Sequence, residues 1–143
     1  MEDDVALLTE RLGRAPEGDF EVVVRNAEGA PMVIRNAPFL RDGTPMPTRY
    51  WLCDPLVRAQ VSRLEAAGGV RAAEADVDAE RLAAAHAAYA AERDAAIDPA
   101  HTGPRPSGGV GGTRKGVKCL HAHYAYFLAG GDDPVGRWTE ERL

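Results

Sequence analysis

The sequence holds only two cysteines, Cys53 and Cys119, in 143 residues. That number excludes a disulfide-built scaffold and fits reduced thiols in a cytosol. Long apolar runs are missing as well. No stretch reaches the roughly 18 residues that a membrane helix needs, and the opening MEDDVALLTE is acidic where a secretory signal would be basic and then apolar. A cytoplasmic protein with no membrane partner is the expectation. Positive charge is also in deficit, 17 Lys and Arg against 22 Asp and Glu. The net charge of −5 speaks against a nucleic-acid binder, which neutralises phosphates with a basic face.

What is present is ordinary for a globular chain: 45% hydrophobic and 27% charged residues. This length suits one domain over 1–143 that buries roughly 68–70% of the surface its unfolded form exposes. Val5, Leu8 and Leu12 sit at helical spacing before Gly13, predicting a first helix over 3–12. Residues 20–25 and 32–35 are β-branched runs around a glycine-containing turn, a hairpin signal. Pro38, Pro45, Pro47 and Pro55 exclude a helix from 36–55, leaving an ordered loop that ends in a short strand near Tyr50-Trp51-Leu52. Asp54-Pro55 reads as a helix start, and that helix runs to Gly68-Gly69. From about Val70 to Ile97 an Ala-rich composition favours one long helix with a weak apolar stripe of Leu82, Ala85, Tyr89 and Ala96. Further helices are expected at Val117–Ala129 and from Pro134 through Trp138. The fold class is α+β, a small antiparallel sheet packed against three to five helices.

The segment 98–116 holds three of the ten prolines and six of the fifteen glycines, so it is a long loop, either a binding loop or a flexible tether. Around it the sign of the charge reverses: Arg105, Arg114, Lys115 and Lys118 occur between 104 and 124 without one acidic residue. Gly109, Gly111 and Gly112 let backbone N–H groups converge, and a helix start near Val117 adds its positive end. These features point to an anion site over 108–118, for phosphate or carboxylate. A solvated basic loop is the competing reading. The spacing does not match a Walker A loop, because the second glycine position is followed by Gly116-Val117 rather than Lys and Ser or Thr.

KCLHAHY supplies Cys119, His121 and His123. In one helix Cys119 and His123 share a face while His121 is turned about 200° from each, at roughly 100° per residue, so the three cannot bind one metal together. No metal is therefore the expectation. A structural zinc site remains as an alternative, using Cys53, Cys119 and His123. Cys119, near a helix start and beside Lys115 and Lys118, is expected to favour its thiolate, or else to be a small buried packing group. His86, Tyr89 and Arg93 fall at i, i+3 and i+7 and form a candidate polar wall of a cleft facing the glycine loop. Arg49 follows a proline-framed turn rigid enough to hold a surface, and joins the ligand-binding candidates.

RNAPFLRDGTPMPTRYWLCDP at 35–55, RLEAAGG at 63–69 and GGVGGTRKGVKCLHAHYAYFLAGGDDPVG at 108–136 resemble the bacterial family known as domain of unknown function 501, over roughly residues 20–137. Asp133 stands where that pattern leads one to expect Asn. The resemblance implies no established activity; its association with a septum-formation initiator implies at most a link to cell division. Two function classes follow. One is a small enzyme or ligand-binding domain whose loop holds an anion while Cys119, His121, His123 or His86 moves protons or attacks. The other is a non-catalytic module of division or envelope processes, docking a protein partner through the helix 70–97.

Overall fold

The computed structural model describes residues 2–143, and side chains from Asp4 onward. Helix α1 (Glu2–Leu12) leads into strand β1 (Gly18–Arg25), which turns back as β2 (Pro31–Leu40). The turn forms because the Asn26 side-chain oxygen accepts from the N–H groups of Glu28 and Ala30, at 3.0 and 2.9 Å. Strand β3 (Tyr50–Leu52) pairs antiparallel with β2, giving the order β1-β2-β3. β2 is longer than the sequence predicts and runs through Pro38. It can do so because the pairing jumps from Phe20↔Asn36 to Gly18↔Leu40, so the proline's missing N–H falls in a bulge.

Alternate residues of β2 serve two separate cores. Ile34 faces α1 and is buried with Leu8 and Cys53, flanked by Phe20, Val22 and Trp51. Val33, with Tyr50 and Leu52 of β3, faces the larger cluster formed by the remaining helices. Those helices are α2 (Pro55–Ala66), α3 (Gly69–Asp76), α4 (Ala79–Ala95), α5 (Leu120–Leu128) and α6 (Pro134–Glu140). Their starts at Pro55 and Pro134 follow the same chemistry: Asp54 and Asp133 cap with their carboxylates, and proline takes the first turn.

Two sequence-based expectations need correction. The single long helix over Val70–Ile97 is two helices, because Val77 is extended at φ −80°, ψ 152° and Asp78 caps α4 by accepting from the Arg81 N–H at 3.0 Å. Two aspartates around a β-branched residue outweigh the propensity of the alanines on either side. The helix expected over Val117–Ala129 begins only at Leu120. Cys119 is extended at φ −152°, ψ 155°, and the Leu120 N–H is taken by the Glu65 carboxylate from α2 at 2.7 Å.

The segment 98–116 is irregular apart from one 3-10 turn at Val110–Gly112, yet Gly109 and Val110 are buried. Its backbone is satisfied by α4. His86 Nδ1 accepts from the Val110 N–H at 3.0 Å, and its Nε2 lies 2.9 Å from the Gly116 carbonyl. Arg93, 1% exposed, donates to the carbonyls of Gly108 and Pro47 at 2.9 and 3.1 Å. The Tyr89 hydroxyl accepts from the N–H groups of Arg49 and Tyr50. Gly109 leaves room for this arrangement, since a Cβ there would meet the His86 ring at 2.5 Å.

Removing these groups strands buried backbone polar atoms. We expect Arg93→Ala to lower the unfolding free energy by about 3 kcal/mol and Tyr89→Phe by about 2 kcal/mol, measured by urea denaturation. A loss below about 0.5 kcal/mol for Arg93→Ala, the size of an ordinary surface change, would show that the two loops hold their places without α4.

Candidate functional site

A cleft of about 670 Å³ opens between the far end of the sheet, α2 and the start of α5. Three cationic side chains line it: Arg14 after α1, Arg58 on α2 and Lys118 just before α5. Among the described residues none of the three makes an ion pair. Arg58 donates one hydrogen bond to the Arg11 carbonyl at 3.2 Å. The carboxylates on the rim are Glu17 and Asp19, and Asp19 lies 3.7 Å from the Arg41 guanidinium.

Ser62, His121 and Cys119 also line the cleft. His121 Nδ1 is 3.2 Å from Glu65 Oε1, and His121 Nε2 is 3.2 Å from Ser62 Oγ and 3.3 Å from the Arg58 carbonyl. Ser62 and Glu65 are one helical turn apart on α2, which puts both on the face that meets α5. Glu65 works twice, since its other oxygen caps the Leu120 N–H. A carboxylate thus already occupies the positive end of α5, where the sequence suggested that a bound anion would sit.

Much of the glycine loop's backbone is engaged within the protein. The N–H groups of Gly109, Gly112 and Thr113 bond to carbonyls within the loop, at 2.7, 3.0 and 3.4 Å, and that of Val110 bonds to His86. Only Gly111 reaches the cleft wall. Arg114 and Lys115 are exposed and lie off the cleft. His86 and Arg93 do face the glycine loop, whereas Tyr89 faces the backbone of Arg49 and Tyr50, and all three are buried braces rather than a cleft wall. Arg49 is engaged by Glu92 at 2.8 Å. Of the predicted cationic and catalytic residues, Lys118, Cys119 and His121 are brought together in the cleft. Arg14, Arg58, Ser62 and Glu65 were missed; the Ser-x-x-Glu spacing on a predicted helix was the readable signal for the last two.

His123 lies away from the cleft, fully buried. Its Nδ1 is 2.7 Å from Asp133 Oδ2, while Asp133 Oδ1 accepts from the N–H groups of Val135 and Gly136. The pair ties α5 to α6, and His123 Nε2 has no hydrogen-bond partner among the described residues. The alternative zinc set is not assembled: Cys53 packs with Leu8 and Ile34 on the α1 side of the sheet, whereas Cys119 packs against the larger core. Among the described residues no three His, Cys, Asp or Glu side chains converge as metal ligands. Of the two readings of Cys119, the packing group fits its surroundings better. Burial pushes its thiol up, the N–H groups of Ala122 and His121 and the charge of Lys118 act in the other direction, and the nearby Glu65 carboxylate adds to the rise. Burial pushes Cys53 up further, to about 11.

No helix among the described residues is long and apolar enough to cross a membrane. The outward sides of α3 and α4 carry Ala, Glu and Arg, with Leu82 and Tyr89 turned inward. A family model described as a protein of unknown function (DUF501) matches residues 22–141. No curated protein and no solved structure matches the chain.

Two measurements follow from these environments. Iodoacetamide should modify Cys119 before the fully buried Cys53, with a half-maximal rate above the free-thiol value of about pH 8.5; a midpoint below that value would restore the thiolate reading. His86 is the second case. Burial lowers its pKa, opposed by the Gly116 carbonyl and aided by His123, so the unfolded chain binds its proton more tightly than the folded one. Stability should therefore fall as the pH drops below about 6.5 and level off below the depressed folded value. His86→Gln should flatten this part of the stability–pH profile.

Proposed function

The chain belongs to the DUF501 family, and we propose that this member is a cytoplasmic protein that binds a small anionic molecule, a phosphate or carboxylate compound, in the cleft between the sheet, α2 and α5. The observation that carries this reading is the set of three cations, Arg14, Arg58 and Lys118, lining one concavity without an ion-pair partner among the described residues. Like charges held together repel, and low-dielectric walls focus their field onto whatever enters. In a chain of net charge −5 such a grouping is a local exception, and a bound anion relieves it. Lys118, the nearest to the glycine segment, keeps the expected basic residue in the site but moves the site from the loop to the cleft beside it. The cytoplasmic placement is supported by the acidic composition and by two unpaired cysteines.

Thermal unfolding with and without inorganic phosphate tests the reading. At ten times its dissociation constant a ligand adds about 1.4 kcal/mol, a rise of about 4–6 °C in Tm for a chain of this size. The double variant Arg14→Ala/Lys118→Ala should lose most of that rise. Arg114→Ala/Lys115→Ala should keep it, because those side chains do not line the cleft. An equal response in the wild type and the first double variant would sink the proposal.

A further inference from the structure

We propose that Ser62, His121 and Glu65 form a nucleophile–base–carboxylate triad, and that this cleft hydrolyses small esters or related acyl compounds. The case rests on side-chain geometry and does not need the anion reading, except where the preferred substrate is concerned. Ser62 Oγ lies 3.2 Å from His121 Nε2, and His121 Nδ1 lies 3.2 Å from Glu65 Oε1. With the Nδ1 proton directed at the Glu65 carboxylate, the Nε2 lone pair faces the serine hydroxyl, the tautomer a general base requires. Ser62 is exposed and lines the cleft, so a substrate can reach it. Glu65 is about a quarter exposed and fixed by its second bond, to the Leu120 N–H. It is a positioning residue.

The arrangement also accommodates the charge that proton transfer creates. When Ser62 Oγ attacks an acyl carbon, its proton passes to His121 Nε2, the new O–C bond forms, and the carbonyl electron pair becomes an oxyanion. The imidazolium then has an acceptor at each nitrogen, Glu65 at Nδ1 and the Arg58 carbonyl 3.3 Å from Nε2. Collapse of the oxyanion breaks the bond to the leaving alkoxide, which takes the proton from His121. Water repeats the sequence: His121 removes its proton, the acyl–Ser62 bond breaks, and Ser62 recovers its hydrogen as the carboxylic acid departs. Arg58 and Lys118, lining the same cleft, supply the positive charge that an oxyanion and an anionic substrate both require. If the cleft is an anion site, the preferred substrates are esters that carry a carboxylate or phosphate elsewhere in the molecule.

The test is covalent labelling by a fluorophosphonate, in which Ser62 Oγ displaces fluoride from phosphorus, read by intact mass and peptide mapping. One adduct on Ser62 is expected. Ser62→Ala, an exposed and conservative change, should abolish it. His121→Ala should slow labelling at pH 7 by at least about 100-fold. Glu65→Gln keeps an acceptor for the Leu120 N–H and should slow it by about tenfold. Glu65→Asp, which keeps a carboxylate at this position, should label faster than Glu65→Gln, a recovery that mere loosening of α5 would not produce. No adduct, an adduct on another residue, or equal rates in wild type and His121→Ala would overturn the triad. Rates on p-nitrophenyl acetate and mono-p-nitrophenyl succinate separate the two readings. A lower succinate-to-acetate rate ratio in Lys118→Ala than in the wild type supports both, whereas Ser62-dependent hydrolysis without any preference for the anionic ester leaves the triad standing and removes the anion site as its specificity device.

Discussion

The structure depends on three polar side chains on one face of α4 that satisfy backbone no sheet or helix can pair. Two irregular segments, the prolines before β3 and the glycines before α5, pass through partly buried ground, where an unpaired N–H or C=O is costly. Tyr89 and Arg93 hold the first segment, and His86 and Arg93 hold the second. Arg93 serves both because a guanidinium carries five donors on a long stem. The alanines around these residues allow both segments to approach the helix closely. What reads in the sequence as a weak amphipathic stripe is a helix whose buried face is polar by necessity.

Glu65 makes the corresponding junction at the cleft. One oxygen ends the search of Leu120 for a cap and the other meets His121, so the start of α5 and the orientation of the imidazole are set by the same carboxylate. A charge at a helix N-terminus contributes about 0.3–1 kcal/mol when exposed and more when partly buried. That stabilisation ties α5 to α2 at the place where the chemistry is proposed. In the glycine segment the N–H groups of Gly109, Val110, Gly112 and Thr113 are already bonded, and Glu65 already meets the end of the helix behind it. Lys118, which makes no ion pair among the described residues, lines the cleft beside this segment.

Much of the fold was legible because its signals are local. The hairpin follows from β-branched runs around Asn26 and Gly29, α2 and α6 follow from Asp-Pro pairs, and α1 follows from the spacing of Leu8 and Leu12. The break at Val77-Asp78 was legible too, but averaging propensity over Val70–Ile97 hid it. The site was harder because its parts come from separate elements. Ser62 and Glu65 are 59 and 56 residues from His121, and nothing in the sequence sets α2 beside the start of α5. Reading KCLHAHY as one helical unit put Cys119 and His123 on a shared face. The chain divides them instead, with Cys119 before the helix, His121 turned to α2 and His123 turned to Asp133, the capping residue of α6.

That division shows how the cleft gains precision from ordinary packing. His121 and His123 leave α5 on different sides, and each nitrogen that faces a carboxylate belongs to a bond between helices, α5 to α2 through Glu65 and α5 to α6 through Asp133. Rotation of α5 about its axis would break both bonds at once. The helix is further fixed by Leu120 and Ala125, both fully buried in the larger core. The base of the proposed triad is therefore held by the same contacts that hold the fold, on rigid elements rather than on a loop. The irregular segment contributes Lys118 and the wall at Gly111, the parts of the site that bear on which ligand enters, while α2 and α5 carry the atoms whose separation must stay near hydrogen-bonding distance for a proton to move.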